Sequence, residues 1–183
     1  MINYHVGDLF DELKNIHDKT IIIPHICNDV GKWGAGFVVP LGKYFPESKS
    51  GYFDLLDEYV QDNRLGKTRE VYPDNHDCDN RIIVCNMIAQ HGIISKSNPR
   101  PIKYHALSQC LLVVRRACSY HNHAGEDVEI HTCAFGSGLA GGNWTFISAL
   151  INEIIPKDIP IHIYSLREKD KDMLVLQDET SVQ

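Results

Sequence analysis

The sequence predicts a single α/β domain, on three observations. Short segments rich in β-branched and aliphatic residues recur along the 183-residue chain. Segments with helical spacing lie between them, and glycine-rich loops follow two of the strands. A chain of this length buries roughly 70% of the surface its unfolded form exposes, enough for one core without staples. Hydrophobic residues make up 43% and charged residues 23%, ordinary globular values that exclude a disordered or fibrous body.

Taken in order, strands are predicted over 2–6, 20–25, 69–72, 81–87, 127–133 and 159–164. Helices are predicted over 38–44, 50–62, 103–122 and 144–155. In the third helix Ala106, Leu107, Cys110, Leu111, Val114 and Ala117 repeat at three- and four-residue spacing, so one face should pack on the sheet. Segments 74–80 and 92–101 are polar and rich in turn formers and read as loops. Residues 1–166 form the predicted domain and 167–183 a C-terminal tail, either flexible or docking through an edge strand or short element at 173–176.

The formal charge is −6, with no cluster of lysine and arginine, so extended nucleic acid is excluded as a partner. The longest apolar runs, 21–23 and 111–114, fall far short of the roughly 20 residues that cross a bilayer, and no membrane association is predicted. The start, MINYHVGDLF, has no basic cluster followed by an apolar segment, which makes a cytoplasmic location the expectation. Six cysteines, Cys27, Cys78, Cys85, Cys110, Cys118 and Cys133, occur without any CxxC pair. They read as buried free thiols, with Cys27 the first candidate for a reactive one. Ten histidines show no HExxH or paired Cys/His spacing, so neither a metal nor another cofactor is expected.

In open α/β sheets ligands bind outside the carboxyl ends of the strands, which selects GDLF, HICNDVGKWGAGF, NMIAQHG and CAFGSGLAGGNW. The last carries the strongest signal, since Gly136, Gly138, Gly141 and Gly142 fall at a strand-to-helix junction. Glycine lets backbone N–H groups approach a phosphate closely, and a helix opening near Asn143 and Trp144 would turn its positive end to the same anion. A bland turn is the competing reading. The second loop places Gly31, Gly34 and Gly36 around Trp33, so two glycine loops can clamp a diphosphate from both sides. Neither is a Walker loop or a GxGxxG fingerprint, which argues against a kinase or dehydrogenase. His25 and Asn28 can bond ligand hydroxyls or move protons, although a strand-end histidine is as readily structural. Asp8 either reads an exocyclic amine such as that of adenine or caps a short helix.

The segments VGDLF, HICND with GKWGAGF, and CAFGSGLAGGNW, in this order across residues 2–164, resemble the macro domain. The resemblance is to the branch that includes ADP-ribose 1''-phosphate phosphatases and terminal ADP-ribose glycohydrolases. It implies a three-layer α/β/α fold with a mixed central sheet, and ADP-ribose, ADP-ribose 1''-phosphate or an ADP-ribosylated macromolecule as partner. By this resemblance Asp8 reads adenine with the Leu9 backbone beside it, while Gly34, Ala35, Gly36 and Phe37 follow the diphosphate and distal ribose. Asn28 sits near that ribose. Gly136, Ser137, Gly138, Leu139, Ala140, Gly141, Gly142 and Asn143 form the phosphate loop, with Trp144 behind it or along the ligand.

The chain departs from the glycohydrolases at two places: Gln90 stands at their lysine position and Ala140 at their aspartate position. Neither can form a Schiff base or carry a proton, which argues against that route. The phosphatase members share the HxCN segment, here His25 to Asn28. This similarity implies hydrolysis of an ADP-ribose phosphate ester, with His25 shuttling a proton and Asp29 and His91 as further candidates. A non-catalytic reader of ADP-ribose, an ADP-ribosyl hydrolase of another mechanism and a general nucleotide-binding protein are the alternatives.

Overall fold

Residues 2–74 and 79–179 are described by a computed structural model of the chain. Cys78, part of the 74–80 loop and the last four residues of the tail lie outside the described residues. The β-branched segments form six strands: β1 (Ile2–Val6), β2 (Thr20–Asn28), β3 (Thr68–Val71), β4 (Arg81–Gln90), β5 (Val128–Cys133) and β6 (Ile161–Ser165). They make one sheet in the order β1-β6-β5-β2-β4-β3. All neighbours are parallel except β3, which runs antiparallel to β4, so the sheet is mixed.

Helices cover both faces, as a mostly parallel sheet requires. Ile22, Ile83, Cys85, Met87, Ile130, Ile161 and Ile163 point to one side. There they meet α4 (Tyr104–His123), α5 (Trp144–Ile154) and α6 (Glu168–Glu179). Ile21, Ile23, Ile82 and Val84, the alternate positions, point to the other side. They meet α1 (Leu9–Glu12) and α2 (Val38–Tyr44), while Cys27 and Ile88 meet α3 (Pro46–Glu58). Helix α3 starts earlier than its apolar pattern predicts because Pro46 stands in its first turn, where a missing N–H costs nothing. No helix among the described residues is long and apolar enough to cross a membrane.

Strands β2 and β4 run three residues beyond their predicted ends, to Asn28 and Gln90. Polar residues suggested termination there, but they are paired across the strands: His25 lies opposite Asn86, and the ladder continues to Asn28 opposite Gln90. On the other side β2 pairs with β5 only through Thr20 to Ile22. Two residues on, Pro24 has no N–H to offer, and its carbonyl accepts instead from the Thr132 hydroxyl at 2.6 Å. Beyond that bridge the strands separate, and the crevice that holds the site opens between them. The tail is neither an edge strand nor loose across 168–179; it forms helix α6, whose Leu174 is buried in the main core.

Candidate functional site

A cavity of about 650 Å³ opens at the carboxyl ends of β2, β4 and β5. Its walls include His25, Gly34, Gly36, Phe37, Gln90, Gly136, Gly138 and Ala140. The two glycine loops meet across it: a methyl group on Gly36 would come within 3.3 Å of Leu139 Cδ1. Gly136 has φ +83, and a Cβ there would crowd Ile26, Ile102 and Ile147 at 2.9 to 3.0 Å, so only glycine allows this turn. Among the described residues, no hydrogen bond takes up the backbone N–H groups of Gly34, Ala35, Gly36, Gly138, Leu139 or Ala140. Unpaired N–H groups on two facing loops are what an anion needs, with no cationic side chain required.

His25 lines the cavity but is only 1% exposed. Its Nε2 lies 2.5 Å from Asn86 Oδ1. Asn86 Nδ2 donates to the Ser48 carbonyl, so its oxygen is the acceptor and the His25 proton sits on Nε2. The lone pair is therefore on Nδ1, whose neighbour is Cys27 Sγ at 3.8 Å. Burial lowers the pKa to about 4, against the opposing effect of the Asn86 hydrogen bond. The His25 and Trp33 rings meet in a T-shaped contact at 5.6 Å and 90°, and Phe37 is stacked on Phe10 at 5.7 Å. An aromatic wall thus surrounds the one imidazole of the cavity lining.

The remaining polar candidates have internal partners: Asn28 lines the cavity, Asp29 and His91 lie outside its lining, and Asp8 takes the helix-cap alternative. Asn28 is spent on its own loop: its oxygen accepts from Val30 N, Lys32 N and the Tyr52 hydroxyl, and its nitrogen donates to Lys32 O. It lines the cavity and at the same time shapes the glycine loop. Asp29 is 1% exposed, and its carboxylate accepts from Gly92 N at 2.7 Å and lies 2.7 Å from His91 Nδ1. This pair pins the turn after β4, and neither residue is in the cavity wall. Asp8 caps α1, accepting from Phe10 N at 2.9 Å, and Leu9 turns its side chain into the core. Cys27 lines the cavity but is buried, and that burial pushes its thiol well above the ordinary range, which disfavours the thiolate. Cys85, Cys110, Cys118 and Cys133 are likewise free thiols.

The glycine loop divides in two. Gly136, Gly138, Leu139 and Ala140 line the cavity. Ser137, Gly141, Gly142, Asn143 and Trp144 line a separate hollow with Arg100, Tyr104 and α6. Asn143 N donates to the Tyr104 hydroxyl there, so the start of α5 faces that hollow. Trp144 is 1% exposed and donates to the Tyr4 hydroxyl, behind the loop. Gln90 and Ala140, the two departures from the glycohydrolase pattern, both line the cavity. Sequence reasoning missed Ile93 and Ile94, which form part of its rim while 49% and 46% exposed. An apolar pair inside the polar stretch HGIISKSN was the available signal.

An open, mostly parallel sheet whose strand ends carry two facing loops of free N–H groups defines an α/β phosphate-ligand-binding domain. No family model matches the chain. It is 24% identical over 165 residues to an ADP-ribose 1''-phosphate phosphatase of Lodderomyces elongisporus, covering 88% of this chain and 98% of that one. A solved structure of a protein of unknown function from Bacteroides thetaiotaomicron is 33% identical, with a TM-score of 0.74 over 90% of this chain and 97% of that one. A macrodomain protein from Streptomyces coelicolor is 28% identical, with a TM-score of 0.69 over 90% and 99% of the two chains. The chain belongs to the macro domain family.

Proposed function

We propose that this macro domain binds ADP-ribose and hydrolyses the phosphate ester of ADP-ribose 1''-phosphate. The observation that carries the reading is the pair of glycine loops, which line one cavity with His25 in its wall and whose N–H groups no internal hydrogen bond takes up among the described residues. The activity for which the Lodderomyces relative is named supports the substrate. In the reaction water attacks the terminal phosphorus, the bond from phosphorus to the oxygen on ribose C1'' breaks, and that oxygen takes up a proton. Loop N–H groups hold the charge on the phosphoryl oxygens. A dianionic phosphate beside His25 raises its pKa from about 4 toward the range where proton transfer is efficient. Asp8 and the Leu9 backbone take the adenine end in this reading. The phosphate loop in this reading is Gly136, Gly138, Leu139 and Ala140, the residues of the segment that line the cavity.

The test is phosphate release from ADP-ribose 1''-phosphate by wild type and His25→Ala. A loss of about 10²- to 10⁴-fold in the variant, with ADP-ribose still bound, is the expected result. Unchanged turnover eliminates the His25 role. One observation favours a second reading, a non-catalytic reader of free or macromolecule-attached ADP-ribose: Asn28, Asp29 and the His25 Nε2 are all consumed by internal bonds. Calorimetric binding of ADP-ribose without phosphate release from any variant would establish it. A cytoplasmic setting belongs to the same proposal, since the five free thiols among the described residues suit a reducing compartment.

A further inference from the structure

Strands β5 and β6 carry a second polar cluster on the face that also bears α1. Val128 and Ile130 of β5, and Ile161 and Ile163 of β6, turn into the core on the other face. The intervening side chains, Glu129, His131 and His162, therefore share the opposite face, with His131 directly across from His162. Core burial would favour apolar residues here. His131 is nonetheless 1% exposed, and the side chains of Glu129 and His162 are 15% and 21% exposed.

Both imidazoles aim the same nitrogen at the same carboxylate oxygen. His131 Nε2 lies 2.9 Å and His162 Nε2 3.8 Å from Glu129 Oε2. One ligand atom from each of the three residues lies within 4.8 Å of the others. Behind each ring the Nδ1 has its own partner: the Tyr164 hydroxyl at 3.0 Å for His131 and His5 Nε2 at 2.9 Å for His162. Without an ion His131 Nε2 donates to Glu129 Oε2; an ion would displace that proton, and with both Nδ1 atoms then donating to their outer partners both Nε2 lone pairs would face it, the orientation that outer hydrogen bonds impose on metal-binding histidines. Glu129 offers Oε2 to an ion in exchange for the His131 proton, because Lys19 sits on the other oxygen, Oε1, at 2.9 Å and is itself neutralised by Asp127 at 2.5 Å.

We propose that Glu129, His131 and His162 form a site for a divalent transition-metal ion, zinc in the first instance, that clips β5 to β6. A tetrahedral set with bonds of about 2.0 to 2.2 Å needs donor atoms roughly 3.4 Å apart. Small rotations about the side-chain torsions bring the three atoms to that spacing, and water completes the fourth position. Two imidazoles and one carboxylate suit zinc, and the tighter-binding Cu²⁺ would compete. The site is independent of the ADP-ribose cavity, since none of its three ligands is in that cavity's wall.

The experiment is zinc titration of chelator-stripped full-length chain against a chromophoric competitor, with the melting temperature followed in parallel. Wild type should bind one ion per chain, and zinc at about a hundredfold over Kd should raise Tm by about 5 to 10 °C. His162→Ala, at the most exposed ligand, should keep its circular dichroism and lose both effects. Tyr164→Phe, which removes only the partner behind His131, should weaken binding by about 10- to 100-fold. Lys19→Met removes a cation beside the ligand carboxylate and should tighten binding. The proposal is overturned if wild type binds no zinc, or if folded His162→Ala and Glu129→Gln bind it with unchanged stoichiometry and affinity through other histidines.

Discussion

At the scale of the residue, the site is governed by which polar atoms remain free after the fold has used the others. Asn28 and Asp29 look like chemistry in the sequence because they adjoin a histidine and a glycine loop. Their bonding is local and internal, to Val30, Lys32 and Gly92, and no pattern of residue types reveals how an amide spends its hydrogen bonds. The glycines were legible, since a run of them at a strand end has few purposes. They differ in what substitution would do. Gly136→Ala forces an L side chain into φ +83 against three isoleucines and should cost about 2 kcal/mol or more, measured by urea unfolding. At Gly138 an added methyl group would meet nothing within 4 Å. Gly138→Ala should leave stability within about 0.5 kcal/mol yet weaken ADP-ribose by about tenfold, or about 1.4 kcal/mol. Normal ADP-ribose affinity in Gly138→Ala would remove this loop from the phosphate cradle.

At the scale of the element, periodicity located what it could see. The α4 stripe and the aliphatic strands are patterns that only one geometry buries, and their positions agree with the sequence to within a few residues. Helix α6 was not legible. Its first turn is EKDK, its apolar residues do not gather on one stripe, and Leu174 alone is buried. Tertiary packing selects the helix, because α6 lies against α5, β1 and β6 and places Leu174 in the main core. Leu174→Ala should therefore destabilise the whole domain by about 2 to 3 kcal/mol, read as a lower urea midpoint at unchanged m. A variant as stable as wild type would mean that the helix docks without contributing to the core.

At the scale of the whole molecule, burying histidine couples stability to pH. His25 carries a pKa of about 4 in the fold against about 6.5 in an unfolded chain. Between those values the unfolded chain binds a proton that the folded chain refuses, so stability is full above pH 6.5 and falls as the pH drops toward 4. The loss from this one group is about 3 kcal/mol by pH 4. Urea unfolding of wild type and His25→Leu at several pH values between 7 and 4.5 should show a shallower decline in the variant. Parallel curves would mean that the buried ring is not the source. From its sequence alone the chain was readable as one α/β macro domain with a glycine loop at a strand end, because alternation, helical spacing and glycine runs are local properties that burial and backbone sterics make informative. Tertiary structure decided which half of that loop lines the cavity, that His25 Nε2 is tied to Asn86, and that Glu129, His131 and His162 meet across two strands. Those are matters of register and of hydrogen bonds between residues far apart in the chain, and they exist only once the strands are side by side.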